Sequence, residues 1–208
     1  MQIISHRGYW LKPEEKNLPI AFQRSFDLGF GTETDVRDVA GKLVISHDMP
    51  HGGEMTVDDL LTLMSSRNLP LAINIKADGL TDKLKAIFDQ HNHTNWFVFD
   101  MAVPDMLAYL NTSVNTFTRL SDVEPSAAWL NESTGIWLDS FSTEWYDPTF
   151  ISNLLLTGKT VCVVSSELHG RDQSKLWTML SKINNHTNLM VCTDLPEQAT
   201  DFFKGKTL

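Results

Sequence analysis

Basic residues are scarce in this 208-residue chain. It has 17 Lys and Arg residues against 26 Asp and Glu residues, which gives a formal net charge of −9 at pH 7. Nucleic acids and anionic membrane surfaces are bound mainly through basic protein faces, so this charge argues against either as a general partner. A substrate that carries phosphate would be repelled on average, and it therefore requires a local group of cations or a metal ion.

Long apolar runs and a cysteine framework are also missing. No run reaches the ~18 apolar residues of a membrane-spanning helix, so no span is expected. The two cysteines, Cys162 and Cys192, lie within apolar runs and are predicted to be buried side chains rather than part of a disulfide framework. The first residues, MQIISHRG, do not show a basic region followed by a long apolar stretch, so no signal peptide and a cytoplasmic location are expected.

Short apolar, β-branched runs alternate with amphipathic segments along the whole chain. Strands are predicted at residues 2–5, 31–38, 42–46, 71–76, 96–100, 115–119, 135–139, 159–165 and 188–192. Helices are predicted at residues 17–28, 55–66, 82–91, 103–111, 126–130, 147–157, 173–183 and 196–203. Eight strand–helix units predict one domain over residues 1–208, an α/β chain closed into a single (β/α)8 barrel of the TIM type, with residues 42–46 as an added hairpin strand. The alternative is an open doubly wound sheet, but the segment after the first strand, HRGYWLKPE, is not the glycine-rich phosphate loop which that fold usually carries.

Polar residues gather at the predicted carboxyl ends of the strands, where enzymes with this barrel hold their functional side chains. In chain order they are His6, Arg7, Glu33, Asp35, His47, Asp48, Asn74, Lys76, Asp100, Arg119, Asp139, Glu167 and Asp194. These positions are therefore the candidates for an active site.

Glu33 and Asp35 are two residues apart on one predicted strand, so both side chains point to the same face. Two inward carboxylates are costly to bury unless they are paired or hold a cation. Hard oxygen ligands of this kind suit Mg²⁺ or Ca²⁺. The alternative is a structural ion pair with Arg37 or Lys76.

Asn74 and Lys76 share a face in the same way, and an inward lysine beside a metal pair would suit a phosphate group. His6 and His47 each follow a short strand early in the chain. Histidine is the side chain best able to exchange protons near neutral pH, so two of them beside a carboxylate pair indicate acid–base chemistry.

Five segments in order carry a resemblance to a known family: SHRG (5–8), NLPIAFQRSFDLG (17–29), TETDVRD (32–38), LVISHD (43–48) and LAINIK (71–76). This series resembles the motifs of the glycerophosphodiester phosphodiesterases. The resemblance implies a TIM-type barrel that hydrolyses a small phosphodiester, such as a glycerophosphodiester or a sugar or polyol phosphodiester, with a divalent metal ion. Mg²⁺ is the first expectation and Ca²⁺ the second.

The resemblance also implies a role at each matching position. His6 and His47 match the acid–base pair, Glu33 and Asp35 match metal ligands, and Arg7 and Lys76 match the residues that hold the phosphate; Asn74 stands where the family has a third metal-binding glutamate. An amide oxygen can still bind a hard cation, but it removes one negative charge from the site. Asp100, at the next strand end, is a possible compensation.

Two further departures concern the segments that flank these motifs. The segment YWLKPEEKN after His6 is stretched, and either Glu14 or Glu15 is the counterpart of the family's glutamate there. Only 25 residues separate Asp48 from Asn74, so an insertion domain is not expected and the cleft should be more open. The alternatives to an active enzyme are a catalytically weak relative that binds phosphate esters and a barrel with a purely structural or partner-binding role.

Overall fold

The computed structural model describes residues 1–183 and 187–205. The strands within these ranges are β1 (Gln2–His6), β2 (Gly31–Val39), β3 (Lys42–Ile45), β4 (Leu71–Ile75), β5 (Trp96–Phe99), β6 (Phe117–Leu120), β7 (Gly135–Leu138), β8 (Thr160–Val164) and β9 (Leu189–Thr193). The α-helices are α1 (Pro19–Asp27), α2 (Val57–Met64), α3 (Thr81–Gln90), α4 (Val103–Leu110), α5 (Pro148–Leu156), α6 (Ser174–Leu180) and α7 (Pro196–Lys204). Within the same ranges, no helix is long and apolar enough to cross a membrane.

The strands form one sheet in the order β5-β4-β2-β1-β9-β8-β7-β6. The neighbouring pairs β2–β4, β4–β5, β6–β7, β7–β8 and β8–β9 are all parallel. Val98 of β5 also forms a parallel bridge with Thr116, the residue directly before β6. Parallel strands in chain order with helices between them are the arrangement of a TIM-type barrel, which confirms the predicted fold class.

The ninth strand, β3, is bonded to β2 outside this series. The two strands pair antiparallel from Val36 opposite Ile45 to Val39 opposite Lys42. Ala40 and Gly41 make the turn between them, each with a positive φ. The predicted added strand is therefore confirmed, and it explains why β2 is longer than the other strands.

The chain separates into two compact units, one of residues Ser5–Thr116 and one of residues Met1–Ile4 with Phe117–Leu208. Each unit has its own apolar core. In the Ser5–Thr116 unit the core includes Phe22, Leu60, Val36, Ile73, Ile75 and Leu84; in the other unit it includes Ile136, Val161, Leu180 and Val191. The single domain over residues 1–208 stays a prediction.

The core of the Ser5–Thr116 unit decides which side chains face away from the helices. Val36, Ile73 and Ile75 pack in that core. Because strand side chains alternate between the two faces, Glu33 and Asp35 on β2 and Asn74 on β4 point to the opposite face of the sheet.

One predicted helix is wrong. Residues 126–130 are not helical: residues 128–130 form a turn, and Trp129 has a positive φ of 51°. A left-handed residue cannot continue a right-handed helix, and a segment of this length offers too few hydrogen bonds to offset helix nucleation. The first helix starts at Pro19 instead of residue 17, because Asn17 also has a positive φ, of 60°. Cys162 and Cys192 are buried and not disulfide-bonded, as predicted.

Candidate active site

The site begins with a sharp turn at the end of β1. Arg7 and Gly8 both have positive φ, 57° and 81°. Two features require glycine at position 8. A Cβ there would lie 2.7 Å from the Cβ of Ala21 on α1, and the positive φ is strained for any other residue. The Gly8 N–H donates to Thr32 Oγ1 at 2.8 Å and the Arg7 N–H donates to Glu33 O at 2.9 Å. The turn thus fixes His6 and Arg7 against β2.

Asp35 is fully buried and is surrounded by groups from three segments. Arg7 Nε lies 3.0 Å from Oδ2, Lys76 Nζ lies 3.6 Å from Oδ1, and Asn17 Nδ2 donates to Oδ2 at 2.9 Å. The parallel register places Asn74 of β4 directly opposite Asp35. The structure therefore brings Arg7, Asp35, Asn74 and Lys76 together. Of the two ion-pair partners considered from the sequence, Asp35 pairs with Lys76 and not with Arg37.

Asp100 also contacts this cluster, through Lys76. Its Oδ2 lies 3.7 Å from Lys76 Nζ, and its φ is 70°. A positive φ at a residue other than glycine costs free energy and is often found at functional sites. Lys76 consequently lies between two carboxylates, which keep its ammonium at the end of β4.

Asn17 belongs to the cluster, although the sequence pattern predicted it only as the first residue of a helix. Its Oδ1 accepts from Thr34 Oγ1 at 2.8 Å while its Nδ2 donates to Asp35, and its backbone N–H donates to Arg7 O at 2.9 Å. An asparagine just before an apolar helix is a signal for this role, because asparagine tolerates a positive φ better than most residues. Glu14 and Glu15 were the two candidates for the family's glutamate in this segment. Glu15 pairs with Arg24 at 2.9 Å, and Glu14 is exposed.

Glu33 is buried two residues before Asp35. Burial raises the pKa of the Glu33 carboxyl well above its usual range, and the nearby charge of Asp35 raises it further, while Arg7 and Lys76 oppose the rise. His6 Nε2 lies 3.9 Å from Glu33 Oε2, too far for a hydrogen bond. An added positive charge would favour the ionised carboxylate.

Three buried acceptors at this place have no hydrogen-bond partner among the residues that the structure describes: Glu33 Oε2, Asp35 Oδ1 and Asn74 Oδ1. Unpartnered carboxylate and amide oxygens are the ligands that Mg²⁺ and Ca²⁺ prefer. In the described part of the chain, no group of three or more His, Cys, Asp or Glu residues could hold a metal. The oxygens fit a hard cation, and a site here would depend on the neutral Asn74 for its third ligand.

His47 lies on the loop after β3, and about half of its side chain is exposed. Its Nδ1 is 2.9 Å from Asp48 Oδ1. The hydrogen bond from His47 lowers the pKa of Asp48, and the charges of His47, Arg7 and Arg37 add to the effect. The structure thus places His6 beside the buried carboxylates and pairs His47 with its own neighbouring aspartate.

In the Phe117–Leu208 unit, the polar strand-end residues are joined to one another. Their pairs are Asp139 with His169 at 2.7 Å, Glu144 with Arg171 at 2.6 Å and Glu124 with Arg119 at 2.6 Å. Glu167 accepts from the hydroxyls of Ser165 and Thr193 and from the Asp194 N–H. Arg119, Asp139 and Glu167 therefore have structural partners within their own unit.

No family model matches the sequence, and no curated protein matches it. Solved structures do match. A glycerophosphodiester phosphodiesterase from Agrobacterium tumefaciens superimposes with a TM-score of 0.71 at 17% identity and covers 99% of both chains. A glycerophosphoryl diester phosphodiesterase from Parabacteroides distasonis gives 0.67 at 10% identity, covering 98% of this chain and 86% of its own.

A phosphodiesterase from Oleispira antarctica, solved with the product sn-glycerol-3-phosphate, gives a TM-score of 0.66 at 16% identity, with 98% of this chain and 97% of that chain covered. Identities this low establish a common fold and nothing finer. Over nearly its full length, the chain is similar in structure to the glycerophosphodiester phosphodiesterases.

Proposed function

We propose that the protein is a metal-assisted phosphodiester hydrolase that acts on a glycerophosphodiester or a related sugar or polyol phosphodiester. The observation that carries this proposal is the cluster of Arg7, Lys76 and His6 around the buried carboxylates Glu33 and Asp35, at the carboxyl ends of parallel strands. The similarity to three phosphodiesterase structures supports it.

Arg7 and Lys76 are proposed to bind the phosphate. They supply local positive charge in a protein whose net charge is −9. Each side chain is about one-fifth exposed, so each is held by Asp35 and still reachable by a ligand. Guanidinium and ammonium groups form charge-assisted hydrogen bonds with phosphate oxygens.

Glu33, Asp35 and Asn74 would hold the cation through their unpartnered oxygens. When bound, a divalent cation stabilises negative charge on the phosphoryl oxygens. It would also keep Glu33 ionised, against the effect of burial on the pKa of that carboxyl.

The two histidines are proposed to move the protons. His6 accepts the proton of a substrate hydroxyl as its oxygen bonds to phosphorus. His47 donates a proton to the alcohol oxygen as its bond to phosphorus breaks. The carboxylate of Asp48, 2.9 Å from Nδ1, orients the imidazole ring of His47. Water then opens the cyclic phosphate with the two roles reversed, so that the products are an alcohol and a phosphomonoester.

The test is hydrolysis of a panel with Mg²⁺, with Ca²⁺ and with chelator. The panel contains a glycerophosphodiester with an alkyl alcohol, a nitrophenyl phosphodiester and glycerol phosphate itself. Metal-dependent release of the alcohol from the diesters, with no phosphate released from the monoester, is expected. Absence of diester cleavage under all three conditions would overturn the proposal.

A second candidate is a weak relative that binds phosphate esters without turnover. It is favoured by the neutral Asn74 in the third ligand position and by the pairing of Asp35 with two protein cations. Titration calorimetry with sn-glycerol 3-phosphate separates the two, because binding in the absence of diester cleavage is the outcome only for the second.

A further inference from the structure

Arg37 is the third residue of an alternating series on β2, after Glu33 and Asp35, and its side chain contacts two loops. Its Nε–H donates to the backbone oxygen of His47 at 3.1 Å, and Nη1–H donates to the backbone oxygen of Lys76 at 2.8 Å. One guanidinium therefore joins the loop that carries His47 to the end of the strand that carries Lys76.

The backbone around these two contacts is fixed on the same short stretch of β2. The Ser46 N–H donates to Asp35 O at 3.0 Å and the Lys76 N–H donates to Val36 O at 3.0 Å. The strand pairing ends at Ser46, and Arg37 donates to the next backbone carbonyl, that of His47. Without the Arg37 side chain, the loop would retain the hydrogen bond from Ser46 N–H to Asp35 O but would lose the hydrogen bond at the His47 carbonyl.

A planar guanidinium suits this task better than an ammonium. Its N–H groups point in fixed directions, so that two carbonyls on different segments can be held at a set spacing. A lysine at position 37 would preserve the charge but would present one nitrogen on a flexible stem. Charge and geometry can thus be separated by substitution.

We infer that Arg37 is a positioning residue that sets where His47 lies relative to Lys76. The inference rests on the proposed function, in which His47 protonates the leaving alcohol and Lys76 binds the phosphate. Arg37 is not assigned any contact with substrate. Its effect reaches the reaction through the His47 loop.

The first measurement does not need activity. Imidazole nitrogen and carbon signals of His47 are recorded by NMR in the native protein, in Arg37→Gln and in Arg37→Lys. Both variants should shift or broaden the His47 signals while leaving those of His91, which binds Asp58 on the surface, unchanged. Unchanged His47 signals in Arg37→Gln would overturn the inference, whether or not the protein proves to be a hydrolase.

The second measurement is a double-mutant cycle on the alkyl and nitrophenyl diesters. Arg37→Gln and Arg37→Lys should each lower kcat on the alkyl diester by roughly 10- to 100-fold, the scale expected for a misplaced catalytic group. The loss should be much smaller on the nitrophenyl diester, whose alcohol leaves without a proton. In a His47→Ala background, Arg37→Gln should cost little more.

The matched control is Arg67→Gln, which removes a surface arginine paired with Asp27 in the same unit and should leave kcat unchanged. Equal losses on both substrates, or full additivity with His47→Ala, would overturn the positioning role. Recovery of activity in Arg37→Lys would also overturn it, because charge alone would then suffice.

Discussion

The carboxyl ends of the strands carry charged residues in both units, but the two units treat them differently. In the Phe117–Leu208 unit, Asp139, Glu144 and Glu167 are each hydrogen-bonded to side chains or backbone of the same unit. In the Ser5–Thr116 unit, Glu33 and Asp35 are buried more completely, and each leaves one oxygen without a hydrogen bond among the described residues. Hydrogen-bonded carboxylates stabilise a fold, whereas buried carboxylate oxygens without a hydrogen bond are costly and are suited to accept a cation.

The kind of unpartnered atom differs as well. In the Ser5–Thr116 unit the strand-end cluster leaves one oxygen each of Glu33, Asp35 and Asn74, and also the donor Arg7 Nε, without a hydrogen bond among the described residues. A cation can satisfy the three oxygens. In the described part of the other unit, the buried side-chain atoms without a hydrogen bond are the hydroxyl oxygen of Tyr146 and Nε of Arg171, and no carboxylate oxygen is among them. The two units therefore differ in whether their strand-end carboxylates keep oxygens without a hydrogen bond, and strand-end polarity alone does not locate a site.

The largest expected effect is on catalysis, and it should be confined to one unit. His6→Ala should lower kcat by about 10²–10⁴-fold, the usual contribution of a general acid or base, with little change in KM. His169→Ala, which removes the partner of Asp139, should keep kcat within a few-fold of native. Steady-state kinetics on the alkyl diester measures both. Comparable losses in the two variants would erase the distinction between the units.

A carboxylate of the satisfied kind should matter for stability instead. Glu167→Leu leaves the Ser165 and Thr193 hydroxyls and the Asp194 N–H without their acceptor, so the free energy of unfolding should fall by about 1–3 kcal/mol. Urea denaturation followed by circular dichroism gives this value. A variant as stable as the native protein would show that the network contributes nothing.

The neutral ligand offers a smaller effect. Asn74→Glu adds a negative charge beside the unpartnered oxygens, so Mg²⁺ or Ca²⁺ should bind on the order of 10-fold more tightly. Titration calorimetry on both proteins measures the change, with Asn68→Glu, at a position between α2 and β4, as the matched control. Equal affinity in the Asn74 variant would indicate that its amide is not a ligand.

The smallest expected effect is the pH dependence of stability. Its direction is opposite to that produced by a carboxyl group whose pKa is lowered on folding. Because the pKa of Glu33 is raised in the folded state, folding takes up a proton at pH values above the usual glutamate pKa. The free energy of unfolding therefore falls as pH rises from the usual glutamate pKa toward the raised one. In chelator, Glu33→Gln should therefore unfold at a higher temperature than the native protein at neutral pH. This difference should shrink as pH is lowered toward the usual glutamate pKa. Calorimetric melts at several pH values would reveal the trend; a lower Tm for the variant at neutral pH would contradict it.

Much of the site followed from local sequence. A separation of two residues on a strand placed Glu33 and Asp35 on one face, and the same period placed Asn74 and Lys76 at the end of β4, because strand side chains alternate. The added strand β3 was predicted in the same way from its short apolar run. The predicted helix at residues 126–130 was wrong because its apolar pattern was short and could not reveal the positive φ of Trp129.

The sequence by itself determined the alternation of strands and helices and the face on which each carboxylate lies, because both depend on periods of two and 3.6 residues along the chain. Only the tertiary structure decided which groups meet. The register of β2 with β4 sets Asp35 against Asn74, the left-handed Asn17 brings its amide to Asp35, and Arg37 ties His47 to Lys76. These contacts join residues that are 10 to 39 positions apart. No local pattern encodes such distances, since they follow from strand register and loop closure.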